Sequence, residues 1–144
     1  MSTEENKARV RRIYEEINSQ NHEEMMEEFA ARDLVWHGAP PGTPPGLAGA
    51  KQAHTTFFTG FPDLHATVED LIAEGDKVVA RVTSRATHQG EFMGIPPTGK
   101  RLSWTWIEID RIKDGKIVEC WDNSDDLGLL QQLGAIPQMA QAGA

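Results

Sequence analysis

Residues 102–109 (LSWTWIEI) constrain the fold more than any other part of the chain. Their aromatic and β-branched content reads as a strand, yet the apolar side chains occupy both faces. Leu102, Trp104 and Trp106 fall on one side, Ile107 and Ile109 on the other. Residues 117–122 repeat the pattern, with Ile117 and Trp121 opposed to Val118 and Cys120. A strand of this kind has no face to give to water. One side of its sheet meets helices, and the other needs a dry neighbour, either a partner subunit or an internal cavity.

The neighbouring sequence supplies the rest of that sheet. Strand-like segments at 64–73, 77–88, 101–112 and 116–123 are separated by Glu74-Gly75-Asp76, by the Gly/Pro-rich stretch 90–99 and by Lys113-Asp114-Gly115. Helical spacing dominates before residue 64. Ser2 and Glu5 have capping-box spacing ahead of a helix over 3–18 with Val10, Ile13, Tyr14 and Ile17 on one stripe. A short helix begins at Asn21 and buries Met25, Met26 and Phe29. Residues 34–38 read as a short strand, and 39–46 (APPGTPPG) as a stiff loop. A third helix carries Leu47, Ala50, His54, Phe57, Phe58 and Phe61 and stops before Pro62, and a last one runs from about Ser124 to Gly134. Helices followed by consecutive hairpins describe an α+β domain, helices on one face of a largely antiparallel sheet. The predicted domain is 1–134, with 135–144 a flexible tail.

Composition removes several function classes. Net charge is −8, from 22 acidic and 14 basic residues, which repels nucleic acid and anionic membrane surfaces. No apolar run reaches the roughly 18 residues of a membrane span. The single cysteine, Cys120, leaves no disulfide framework and fits a reducing cytoplasm. The five histidines contain no i, i+4 pair, so no metal ligand set is expected.

The last hairpin decides which residues share a surface. A three-residue loop at 113–115 places Glu108 opposite Cys120 and Trp106 opposite Asp122, on the face of Leu102 and Trp104. A two-residue Asp-Gly turn places Ile107 opposite Asp122 and splits the set. The first register gathers Trp104, Trp106, Glu108, Cys120 and Asp122 into an apolar pocket with a few polar groups.

Three stretches point to a family: FPDLHATVEDLIAEGDKVVARVTSRATH at 61–88, THQGEFMGIPPTGKR at 87–101 and DGKIVECWDNSDDLGLLQQLG at 114–134. With the element order they resemble the SnoaL-like polyketide cyclases, of the superfamily named for nuclear transport factor two. The resemblance implies a cone-shaped, curved mixed sheet around an apolar cavity closed by the N-terminal helices, which favours the three-residue loop. It also implies homodimers or higher homo-oligomers through the outer sheet face. The family's catalytic acid/base is an aspartate directly after a tryptophan on the last long strand, matching Trp121-Asp122. It implies a cofactor-free intramolecular aldol addition on a small hydrophobic polyketide-type ester. The chain departs from the family where histidines are common, carrying Cys120 and Glu108 instead. Two carboxyls in a dry site tend to hold one proton between them.

The predicted catalytic set is therefore Asp122, Glu108 and His37. The predicted substrate contacts are Tyr14, Trp36, Phe58, His88, Trp104, Trp106 and Cys120. Cys120 has no adjacent histidine to activate it and reads as a core thiol. Alternative readings are a ligand-binding protein without turnover, a dimerisation module, or an isomerase, dehydratase or epoxide hydrolase on the same fold.

Overall fold

A computed structural model describes residues 1–137, and most of the predicted tail, 138–144, lies outside the described residues. The elements are α1 (Thr3–Glu16), α2 (His22–Phe29), β1 (Ala30–Trp36), α3 (Gly46–Gly60), β2 (His65–Glu74), β3 (Lys77–Thr87), β4 (Arg101–Lys113), β5 (Lys116–Ser124) and α4 (Asp126–Leu133). Each predicted element is present, with ends displaced by a few residues; β1 differs most, starting four residues before the predicted Leu34. The strands form one curved, unclosed sheet in the order β1-β5-β4-β3-β2. All pairings are antiparallel except β1 on β5, so the sheet is mixed.

Local chemistry accounts for the helix positions. Ser2 and Glu5 complete a reciprocal capping box on α1. Asp125 caps α4 through the Gly128 amide, and Gly134 closes it at φ 80°. Val10 and Tyr14 of α1 pack on Val78, Ala80, Val82 and Ile112. Leu47 and Ala50 of α3 pack with Leu34 and Cys120. Leu129 and Leu133 of α4 cover Leu102, Trp104 and Phe61. The helix-covered side is the inner face. On the outer face Val35 (50%), Ile107 (47%) and Ile72 (63%) are open to solvent.

The β4–β5 hairpin matches neither predicted register. Its turn is the two-residue Asp114-Gly115, both at positive φ (51° and 75°), as a type I′ turn requires. Lys113 pairs Lys116 and Ile112 pairs Ile117, but Arg111 then pairs Glu119. The extra residue, Val118, forms a bulge that reverses the alternation on β5. Ile117 and Cys120 consequently share the inner face, correcting their assignment to opposite faces. The predicted same-face set survives with shifted partners: Glu108 faces Asp122, Asp110 faces Cys120, and Trp106 faces Ser124.

Candidate active site

Alternation along β4 points Trp106, Glu108 and Asp110 inward, and the bulge turns Cys120 and Asp122 toward them. β1 enters beside β5 in parallel, with Trp36 next to Cys120. From there the Trp36 Nε1–H donates to Asp122 Oδ1 at 2.7 Å. Across the site, the Tyr14 hydroxyl of α1 donates to Glu108 Oε2 at 2.9 Å. The Tyr14 and Trp106 rings meet edge to face at 5.5 Å, and Trp106 Nε1–H donates to Ser84 Oγ at 2.8 Å. Trp36, Trp106, Glu108 and Asp122 are only half-buried, although all four point to the inner face. Their residual exposure marks where the helices leave the sheet uncovered.

Asp110 is buried to 2% exposure. Its carboxyl, that of Glu108 and the Cys120 sulfur lie within 4.8 Å of one another. Burial pushes the Asp110 carboxyl well above the usual range, and the Glu108 charge and hydrogen bond push it further. Glu108 is also raised, chiefly by desolvation and then by the Asp122 charge, while hydrogen bonds from Asp110 and Tyr14 oppose the rise. Burial, followed by the charges of Glu108 and Asp110, lifts the Cys120 thiol far above its ordinary value. A protonated thiol there is no nucleophile. Tyr14 is raised as well, by burial and then by Glu108, so its hydroxyl remains a donor. The Glu108, Asp110 and Cys120 donors could bridge a divalent ion, a set the histidine spacing did not reveal. Binding one would require displacing the protons that the burial of Asp110 and Cys120 retains.

Four of the predicted residues are not brought to this group. His37 turns to the outer face because it follows Trp36 in an alternating backbone. There its Nε2 meets Glu119 Oε2 at 2.6 Å, and its ring stacks on Trp121 at 5.0 Å. His88 lies beyond the far end of β3, roughly 25 Å along the sheet from Glu108 at about 3.3 Å per residue. It is fully buried against Phe61, its Nδ1 accepting from the Thr98 amide at 3.2 Å, and it closes the 88–100 loop. Phe58 is buried between α2 and α3 against His22 and His54. Trp104 shares the inner face but is packed into the Phe61 and Leu102 core.

Two surface hollows lie elsewhere. One, of about 210 Å³, is lined by Asn6, Asp76 and Asp114 at the hairpin tips, and the other by Thr55, Thr59 and Met93. Beside the carboxyls, Tyr14 reaches in from α1, which lies over β2 and β3, and its ring meets that of Trp106.

Two contributors escaped sequence reasoning. Asp110 stands two residues beyond Glu108, so face alternation alone would have placed it inward. Gly38 runs so close to the site that a methyl group built on it overlaps Asp122 Oδ1. Its only sequence signal is a glycine directly after Trp36-His37.

The chain is similar to known proteins over nearly its whole length. The family model described as SnoaL-like polyketide cyclase matches residues 8–133. Aklanonic acid methyl ester cyclase DauD of Streptomyces sp. (strain C5) is 33% identical over 129 residues, 87% of this chain and 79% of that protein. The corresponding cyclase DnrD of Streptomyces peucetius is 30% identical, over 87% of this chain and 88% of its own length. Among solved structures, TsrD from Streptomyces laurentii superposes with a TM-score of 0.76 at 30% identity, over 92% of this chain and 95% of that one.

Proposed function

Because the chain belongs to the SnoaL-like polyketide cyclase family, we propose that it closes a ring of a polyketide-type ester by intramolecular aldol addition, with Asp122 as the acid/base. The supporting observation is the cross-strand pair of Glu108 and Asp122 on the inner face, with Asp122 aimed by the Trp36 N–H. Asp122 removes the acidic proton from a carbon flanked by carbonyls. The electron pair left on that carbon forms the new C–C bond to the ketone carbon, and the ketone oxygen becomes an alkoxide. Asp122 returns the proton to that oxygen, so the product is an isomer of the substrate. Each step is a proton transfer or a rearrangement within the substrate and uses no electron acceptor. Glu108, facing Asp122 and held by Tyr14, shares one proton with it, so that the pair carries a single negative charge for the abstraction. Trp36, Trp106 and Tyr14 form the substrate bed, with Cys120 as its inert floor, and a flat polyketide enters by displacing the Tyr14 edge.

Conversion of aklanonic acid methyl ester, the compound in the relatives' names, tests this directly. Replacing Asp122→Asn should lower kcat by about 10²–10⁴-fold, the usual contribution of a positioned acid/base, without loss of fold by circular dichroism. Undiminished turnover in the variant would remove Asp122 from the mechanism. Wild-type protein that binds the ester without converting it would favour the non-catalytic binding reading.

The same reading places a second copy of the chain on the outer face, where Val35 and Ile107 are half exposed. Light scattering should then give twice the 16.0 kDa chain mass, reverting to one chain in Ile107→Lys. The lone buried cysteine agrees with a cytoplasmic site of action. Residues 1–134 are taken as one folding unit.

A further inference from the structure

Among the described residues, the inner face holds three carboxyls and a thiol with no cation beside them. Arg111 of β4 and Arg81 of the neighbouring β3 point outward, to Glu119 at 2.9 Å and Asp70 at 2.6 Å. Every group packed on the cluster is neutral or acidic: Tyr14 from α1, Cys120 and Asp122 from β5, Val78 and Ala80 from β3. Charge in such a place is removed by protons. Asp110 is the deepest of the three, and its Oδ1 has no hydrogen-bond partner among the described residues. Glu108 stands between it and Asp122, two residues away along β4.

We propose that Asp110 is a positioning residue for the reaction, its carboxyl keeping the innermost proton of a three-carboxyl row and donating it as a hydrogen bond to Glu108. Glu108 then accepts from Asp110 on its inner side and from Tyr14 Oη–H at 2.9 Å, and is fixed toward Asp122. With both donors in place, Glu108 gives up its own proton more readily, and the Glu108–Asp122 pair works at a lower pH. The burial of Asp110, which raises its proton affinity, agrees with that role. This inference rests on the reading of Asp122 as acid/base only in its kinetic consequences.

The test compares Asp110→Asn, which keeps a donor and carries no charge, with Asp110→Leu, which keeps volume alone. On aklanonic acid methyl ester, Asp110→Asn should retain kcat within about threefold. Asp110→Leu should lose about tenfold in kcat with KM nearly unchanged, and its acidic limb should move upward by about one pH unit, since a lost charge-assisted bond is worth roughly that. An unmoved pH profile in Asp110→Leu would make Asp110 a packing residue and overturn the proposal. So would a loss in Asp110→Asn as large as in Asp122→Asn, which would make Asp110 a proton-transferring group. A readout without substrate separates this from failure of the cyclase reading. Wild-type thermal stability should fall as pH rises from about 4, where the unfolded Asp110 ionises, until the inner proton itself leaves, and Asp110→Asn should lack that part of the fall. Equal pH dependence in the two proteins, or zinc-induced stabilisation that Asp110→Asn abolishes, would also refute it.

Discussion

The two faces of β4 and β5 carry acids that behave in opposite ways. Outward, Glu119 lies between His37 and Arg111, and these hydrogen bonds hold its carboxyl below the ordinary range. Inward, Glu108 and Asp110 have no cation and are raised by burial. Charge pairing in solvent gives a stable but chemically idle surface. Unpaired acids under apolar cover keep their protons near the pH at which proton transfer is useful. A single bulge residue, Val118, determines which acids of β5 belong to which group.

Several substitutions can break or sharpen this contrast. The largest effect is expected from Gly38→Ala, whose methyl would drive the Asp122 carboxyl from its place. A displacement of about 1 Å is commonly worth about 10²-fold, so kcat on aklanonic acid methyl ester should fall by about that much while KM changes little. Trp36→Phe comes next. It keeps an aromatic wall but removes the donor to Asp122, and the loss of a hydrogen bond to a charged group predicts a drop of roughly 10–100-fold.

A third test concerns pH rather than activity. His54, packed with His22 and Phe58, is lowered from 6.5 to about 4, first by burial and then by the His22 charge. Its folded form therefore binds a proton less readily than the unfolded chain. The associated stability is complete above pH 6.5 and is lost as pH falls toward 4, amounting to about 3 kcal/mol. Denaturant titrations of His54→Leu should show a shallower acid loss. The inner carboxyls act in the reverse sense: with raised folded values, they cost stability as pH rises from about 4 upward. The smallest effect belongs to the outer face. His37→Ala should change kcat by less than about twofold, because exposed pairs contribute little; a large loss would return His37 to the catalytic set.

The element order and the α+β arrangement were readable because periodicity changes from helical to alternating near Leu64. The inner location of Trp106, Glu108 and Asp122 was readable for the same reason. Their pairing was not, since it depends on a bulge at Val118 that leaves no sequence mark and on a two-residue turn that alone would have produced the wrong face. His37 was misplaced because adjacency to Trp36 in sequence means opposition in a strand. His88 fits the same alternation, but it stands eight residues beyond Ala80 of β3, the partner of Glu108, and so at the other end of the sheet. Asp110 follows from the alternation, standing two residues beyond Glu108 on the same face. Only a fold in three dimensions reveals Gly38 beside Asp122, because the contact joins chain segments 84 residues apart.

Carbon-13 NMR of the aspartate and glutamate carboxyls, followed from about pH 4 to about pH 9, tests the shared inner proton most directly. This account expects the Asp110 carbon to keep the shift of a protonated acid at neutral pH and Glu108 to titrate above the ordinary glutamate range, while Glu119 is already ionised at the acidic end. Asp110 and Glu108 titrating together with the surface acids would contradict it.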